Sequence, residues 1–323
     1  MKKNIILCAI LSFSLLSNKT MDETPQTSIS NGIINARLYL PDANNGYYRG
    51  SRFDWAGVIP ELEYNGHSYF GQWFENYHPT LHDAIMGPVD AFAPIGYDQA
   101  KPGESFLKIG IGMVARIDEK PYAIVPEYPI VNPGEWKVKS KKDRVQFVHQ
   151  LSAGGYAYEY TKTVSLTKGK PELVLYHSLK NTGNETLETE VYNHNFFVMD
   201  NTTTGKDYTI TFPFELTSKS GGNAAIGEIQ GNQIVYNKDL VKGENLYYGT
   251  LQGFGNDASD YDIKIENSKT GAGVRIRCDK PLSRLVFWCA IKTVCPEPYT
   301  AINIKPGESF DWTISYEFYT TNN

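Results

Sequence analysis

The chain is poor in sulfur, short of basic charge, and without a long apolar run after its first residues. Its 323 residues include 4 cysteines and 5 methionines. Cys8 falls in the N-terminal apolar segment, which leaves Cys278, Cys289 and Cys295 near the C-terminus. Their spacing is not that of a zinc site. It leaves open either a bridge between Cys278 and Cys289 on neighbouring strands or buried free thiols. The one apolar run, residues 5–16, follows Lys2 and Lys3. About a dozen apolar residues is too short to span a bilayer, so the segment reads as a secretory signal peptide over 1–20. A short linker, 21–30, and a mature domain, 31–323, are expected to follow. Cys8 lies too early in the run for a lipoprotein cysteine. The mature protein is therefore expected in a periplasm or outside the cell, with no membrane insertion after cleavage. Without Lys2, Lys3 and Lys19, the 31 basic residues fall to 28 against 36 acidic, a net charge of −8. That balance argues against nucleic acid or an anionic membrane as partner and suits a neutral ligand.

Helical periodicity is missing as well. No stretch longer than about ten residues keeps a 3.6-residue period without Gly, Pro or a β-branched interruption. Aromatics are plentiful at 13%, with 22 Tyr, and favour strands and half-wet binding faces. Residues 33–40 alternate and stop at Pro41-Asp42. Runs 57–64 and 67–74 flank Asn65-Gly66, the strongest short hairpin signal. Runs 144–151 and 156–166 flank Gly154-Gly155, and 173–180 and 187–198 flank Asn181-Thr182-Gly183-Asn184. Later runs cover 261–266, 273–278, 285–291 and 310–319. The expected fold is all-β, a large antiparallel β-sandwich. The hexapeptide Lys-Pro-Gly-Glu-Ser-Phe occurs at 101–106 and at 305–310. Pro-Gly signals a type II turn, so the copies read as two similar turns feeding strands rather than a duplicated domain. The Pro- and Gly-rich region 80–133 is a candidate for rim loops over a ligand face.

Three polar clusters could carry chemistry. Residues 47–55 hold Arg49, Arg52, Asp54 and Trp55; residues 77–83 hold His78, His82 and Asp83; residues 192–197 run Tyr-Asn-His-Asn-Phe-Phe around His194. Glu297 sits between Pro296 and Pro298, and is expected at an edge or a strand end facing solvent. Plainer readings stand beside these: a structural strand histidine, an exposed turn carboxylate, a loop-fixing His82–Asp83 bond, and a salt bridge from Arg52 to Asp54. A metal site would need His78, His82 and a distant third ligand.

The segment ELVLYHSLKNTGNETLETEVYNHNFFVMD, residues 172–200, resembles the hairpin of the aldose 1-epimerase (galactose mutarotase) superfamily. LHDAIMGPVDAF (81–92), YYRGSRFDWAGVI (47–59) and CPEPYTAINIKPGESFDWTISYEF (295–318) resemble that family's other segments, in the family's order. Asp83-Ala84 stands where the family has a double glycine. The resemblance implies a galactose mutarotase-like supersandwich with His194 as general acid and Glu297 as base, without metal or cofactor. It implies Arg52 and His82 as substrate-binding groups; beside them His78 and Asp83 are further candidates to hold hydroxyls, and Trp55, Trp73 or Phe197 could offer a ring face to a sugar. The partner would be a monosaccharide or the end of an oligosaccharide or polysaccharide. The implied reaction is anomer interconversion. A polysaccharide lyase, a glycoside-active enzyme or a non-catalytic carbohydrate-binding protein of a glycan-utilisation system are the alternatives.

Overall fold

The computed structural model describes residues 24–321, so the expected signal peptide lies outside the described residues. Regular structure among them is strand, apart from two single-turn 3-10 segments, Met199–Asn201 and Ala258–Asp260. The alternation that marks strands in the sequence is the alternation of burial. Tyr158, Tyr160, Lys162, Val164 and Leu166 point inward from strand Tyr156–Leu166, and their neighbours are half-exposed. Residues of one face recur every second position, so each strand contributes a row to the core.

Two antiparallel sheets pack on that core. The larger has ten strands, with Glu172–Asn181 between Tyr156–Leu166 and Ser309–Thr320 near its middle. The smaller has five: β1 (Gly87–Phe92), β2 (Leu187–Phe196), β3 (Asn245–Tyr248), β4 (Arg284–Ala290) and β5 (Thr293–Ile304). Their spatial order is β3-β4-β5-β2-β1. The inner faces share one apolar cluster that includes Leu175, Ile314, Tyr316, Val191, Phe287 and Ile302. The sandwich expected from the sequence is the fold.

Turn chemistry behaves as its residues dictate. Asn65 (φ +50°) and Gly66 (φ +83°) make the mirror-image hairpin turn that only such residues enter cheaply. In the repeated hexapeptide, Gly103 and Gly307 take φ +88° and +84°, and Glu104 and Glu308 accept the backbone N–H of Lys101 and Lys305 at 2.8 and 3.2 Å. Two expectations change. The linker region contains strand Gln26–Ser30, which pairs along its length with Ile34–Tyr39 and buries Ile29. Run 67–74 is strand at His67–Ser68 alone; beyond it the chain leaves the ladder, and the Trp73 indole donates to the Ile85 carbonyl at 3.0 Å. The three cysteines are buried thiols, with Cys278 on the larger sheet and Cys289 on the smaller. Burial pushes their thiols up, Cys278 to about 12 and Cys289 to about 11.

Between the sheets lies a fully buried ionic layer. Lys162 Nζ is 2.7 Å from Asp90 and 3.6 Å from Asp54. His177 meets Asp90 at 3.0 Å, Tyr160 donates to Asp54 at 3.1 Å, and Asn193 Nδ2 donates to Asp90 at 3.0 Å. The Tyr316 hydroxyl donates to the side-chain oxygens of both Asn193 and Asn195.

Candidate active site

Strand β2 explains why one histidine and not its neighbours faces outward. Asn193, Asn195 and Phe197 point into the sandwich, where Phe197 packs on Phe70 and the asparagines join the buried layer. Tyr192, His194 and Phe196 point the other way and line a cavity of about 520 Å3 on the outer face of the smaller sheet. That volume lies within the range of small-molecule sites.

Glu297 reaches the same cavity from β5. The pairing Tyr192↔Tyr299 and the bridge Phe197↔Val294 share one register, which sets His194 opposite Glu297. Pro296 and Pro298 have no N–H, so the β2–β5 ladder is interrupted there. The Asn195 side chain replaces it, donating to the Pro296 carbonyl at 3.0 Å. The prolines were expected to push Glu297 to an edge or strand end. Instead it is 7% exposed inside a sheet, because β4 pairs with the other side of β5 through Val286↔Glu297. Asn195→Ala should destabilise the fold by about 1–3 kcal/mol, since it strands the Pro296 carbonyl and one acceptor of Tyr316. An unchanged urea midpoint would show that those groups find other partners.

His194 Nε2 lies 3.3 Å from Glu297 Oε1. The imidazole is stacked on Phe196 (centroids 3.8 Å, 8° between planes), and Trp73 stacks on the far face of Phe196 at 5.1 Å. Nδ1 is buried without a hydrogen-bond partner, so stacking rather than a second hydrogen bond orients the ring. Burial, followed by the nearby Arg52 charge, holds His194 well below the usual imidazole range. Burial pushes the Glu297 carboxyl up to about 7, against the pull of Arg52 and Arg284. Burial thus disfavours the charged form of both groups, which works against the expected division of a protonated His194 beside an ionised Glu297.

Arg52 Nε donates to the Tyr192 hydroxyl at 3.2 Å, and its guanidinium lies over Phe53 at 4.5 Å. It makes no salt bridge to Asp54, which belongs to the buried ionic layer. His82 and Asp83, 3.5 Å apart, line the cavity, and burial holds His82 below its ordinary value. Three expected residues lie elsewhere. His78 is exposed and bonded to Thr80 at 2.8 Å. The Trp55 indole donates to the Gly50 carbonyl, lining a smaller neighbouring pocket, and Phe197 has the wrong strand parity. Of the expected rings only Trp73 lines the cavity, and Phe196, Trp288, Tyr299 and Tyr122 supply the other aromatic walls. A period of two from His194 picks out Phe196 over Phe197, and the same parity on β4 brings up Arg284 and Trp288. Lys108, at the end of strand Ser105–Lys108, has no such signal.

Solved structures described as galactose mutarotase-like or aldose 1-epimerase-like proteins share this sandwich fold. Solved structures of this kind match nearly the whole chain. The GalM/aldose epimerase homologue from C. elegans aligns with a TM-score of 0.57 at 12% identity, covering 93% of this chain and 100% of its own. The Slr1438 protein from Synechocystis sp. PCC 6803 gives 0.56 at 13% identity, covering 93% and 97%. A putative aldose 1-epimerase from Escherichia coli K12 gives 0.53 at 15% identity, covering 92% and 100%. At these identities the likeness is one of fold. No protein-family model and no curated protein matches the sequence.

Proposed function

We propose that the protein is a carbohydrate-active enzyme of the aldose 1-epimerase type, with His194 and Glu297 as its acid–base pair. The observation that carries this reading is their 3.3 Å contact on the wall of a sugar-sized cavity. Opening a pyranose needs one proton delivered to the ring oxygen and one taken from the C1 hydroxyl. Both oxygens are bonded to C1, so two groups in contact with each other reach both. In the singly protonated pair, Glu297 gives its proton to the ring oxygen as the C1–O bond breaks. His194 takes the hydroxyl proton as the C1 carbonyl forms. Rotation about C1–C2 follows, and on closure both protons return along the same paths. In this reading His82 and Asp83 hold hydroxyls, Arg52 supplies a further donor, and Trp73 and Trp288 meet a ring face; all five line the cavity.

Glycoside hydrolysis sets two carboxyl groups about 5–9.5 Å apart across the scissile bond, whereas the contact that carries the present reading pairs a carboxyl with an imidazole. Elimination from a uronide would need a base such as Tyr192, whose phenol burial pushes up. No absorbance from an unsaturated uronide is expected. The N-terminal segment supports export, and no helix among the described residues is long and apolar enough to cross a membrane.

Polarimetry on a freshly dissolved α-anomer tests the reaction and its pH dependence. Above about 7 Glu297 loses its proton and the pair holds none; below the depressed His194 value it holds two. Enzyme-dependent kcat/KM is expected to fall as pH rises through about 7, with the acid limb displaced below the usual imidazole range. A rate that is flat or rising through 7, after subtraction of the spontaneous reaction, removes the pair from the mechanism.

A further inference from the structure

Two basic side chains in the cavity, Arg52 and Lys108, lack carboxylate partners among the described residues. Arg52 is 9% exposed and Lys108 is 2% exposed. Among the described residues no carboxylate lies within salt-bridge distance of either, whereas Arg284 is matched by Glu190 at 3.3 Å. Beyond the Tyr192 hydroxyl, the terminal amino groups of Arg52 have no hydrogen-bond acceptor among the described residues. Lys108 Nζ donates to the Phe92 carbonyl and to the Tyr122 hydroxyl at 3.2 Å, which leaves its third N–H. Burial and then the neighbouring Arg52 charge push Lys108 down to about 7, so the two cations feel one another. Buried charges are otherwise paired or neutralised, and this pair has an opening into the cavity. The carboxyl groups nearby are already engaged: Asp83 with His82, and Glu297 with His194.

We propose that the cavity takes an acidic sugar, whose carboxylate Arg52 and Lys108 hold together. This rests on the carbohydrate reading above and names the substrate class for it. The net negative charge of the chain suggested a neutral ligand; the local charge of this cavity points the other way. A planar carboxylate suits the two free amino groups of one guanidinium. A dianionic phosphoryl group suits the site less, because Glu297 and Asp83 lie in the same cavity. An anion bound to both side chains would also lift Lys108 toward its ordinary value and occupy its remaining N–H.

The experiment is calorimetric titration of the full chain with D-glucuronate and D-galacturonate, each against its methyl ester, and with the corresponding 6-phosphates. Each ester keeps the hydroxyl pattern and removes the charge. At least one acid is expected to bind about tenfold or more tighter than its own ester. Arg52→Met should bring acid and ester to within about twofold, and Lys108→Met should reduce the preference in part. If Arg52→Met fails to fold, Lys108→Met alone still reads the charge dependence. Equal binding of acid and ester, a preference that survives the substitutions, tighter binding of a phosphate, or no binding by any of these probes overturns the proposal. Polarimetry separates this result from the catalytic reading. Acid preference without mutarotation leaves the anion site and removes the epimerase, and mutarotation with no acid preference does the reverse.

Discussion

Glu297→Gln is expected to lower kcat for anomer interconversion by about 10²–10⁴-fold while making the folded protein more stable above pH 7. The two effects have one origin. The Glu297 carboxyl is 7% exposed and burial raises it from an ordinary 4.5 to about 7. Its folded value lies above its unfolded one, so the fold is favoured while the group stays protonated. That advantage is lost as pH rises from about 4.5 through about 7. The accumulated penalty at high pH is about 3 kcal/mol, from a shift of this size at 1.36 kcal/mol per pH unit. Glutamine keeps the shape, carries no charge and donates no transferable proton. Urea denaturation at pH 5 and pH 8, alongside polarimetry, reads both effects. A purely structural glutamate predicts the opposite pair of results, with activity retained and stability reduced. His194→Ala should cost a similar factor in kcat, and the double variant little more, because the residues act as one unit.

The sandwich was legible in the sequence because its signals are local. Residues 156–166 are the strand that the Gly154-Gly155 turn and the alternation mark out, and the two Lys-Pro-Gly-Glu turns form as their residues require. Ile29 was missed because five short alternating residues next to an N-terminal leader look like linker until their partner strand is known. Phe197 is a ring candidate in the sequence, yet strand parity from His194 turns it inward and brings Phe196 to the cavity. Glu297 was read as solvent-facing because proline is judged by the bonds it cannot make. The Asn195 amide that replaces the missing bond is about a hundred residues away in the chain. Lys108 and Trp288 enter the cavity through sheet order and loop closure, which no local pattern encodes.

Lys162→Met should destabilise the protein by about 3–5 kcal/mol, the cost of leaving buried charge without its counter-ion. Lys162, Asp54 and Asp90 have no solvent exposure of their side chains. The lysine holds Asp90 well below the carboxylate range, together with His177, against a large burial penalty. Burial, and then the neighbouring Asp90 charge, push Asp54 up to about 7 instead, against the pull of the more distant ammonium. Removing Lys162 would leave both buried carboxyls without their cation, so that each would need to be protonated or hydrated. Since Asp90 owes its low value to the lysine, stability of the variant should improve as pH falls toward 5, whereas the wild type gains nothing from Asp90 there. Adding Asp90→Asn to Lys162→Met should recover part of the loss, which denaturation midpoints of the single and double variants would measure. The same layer bears on catalysis. Asp90 accepts from Asn193, and Asn193 and Asn195 share the Tyr316 hydroxyl on either side of His194 along β2. With Nδ1 of His194 unpartnered, this backbone anchorage and the ring stack are what set the imidazole against Glu297. Lys162→Met is therefore expected to lower kcat in the fraction that remains folded, although the lysine lies on the far side of the sheet from the cavity.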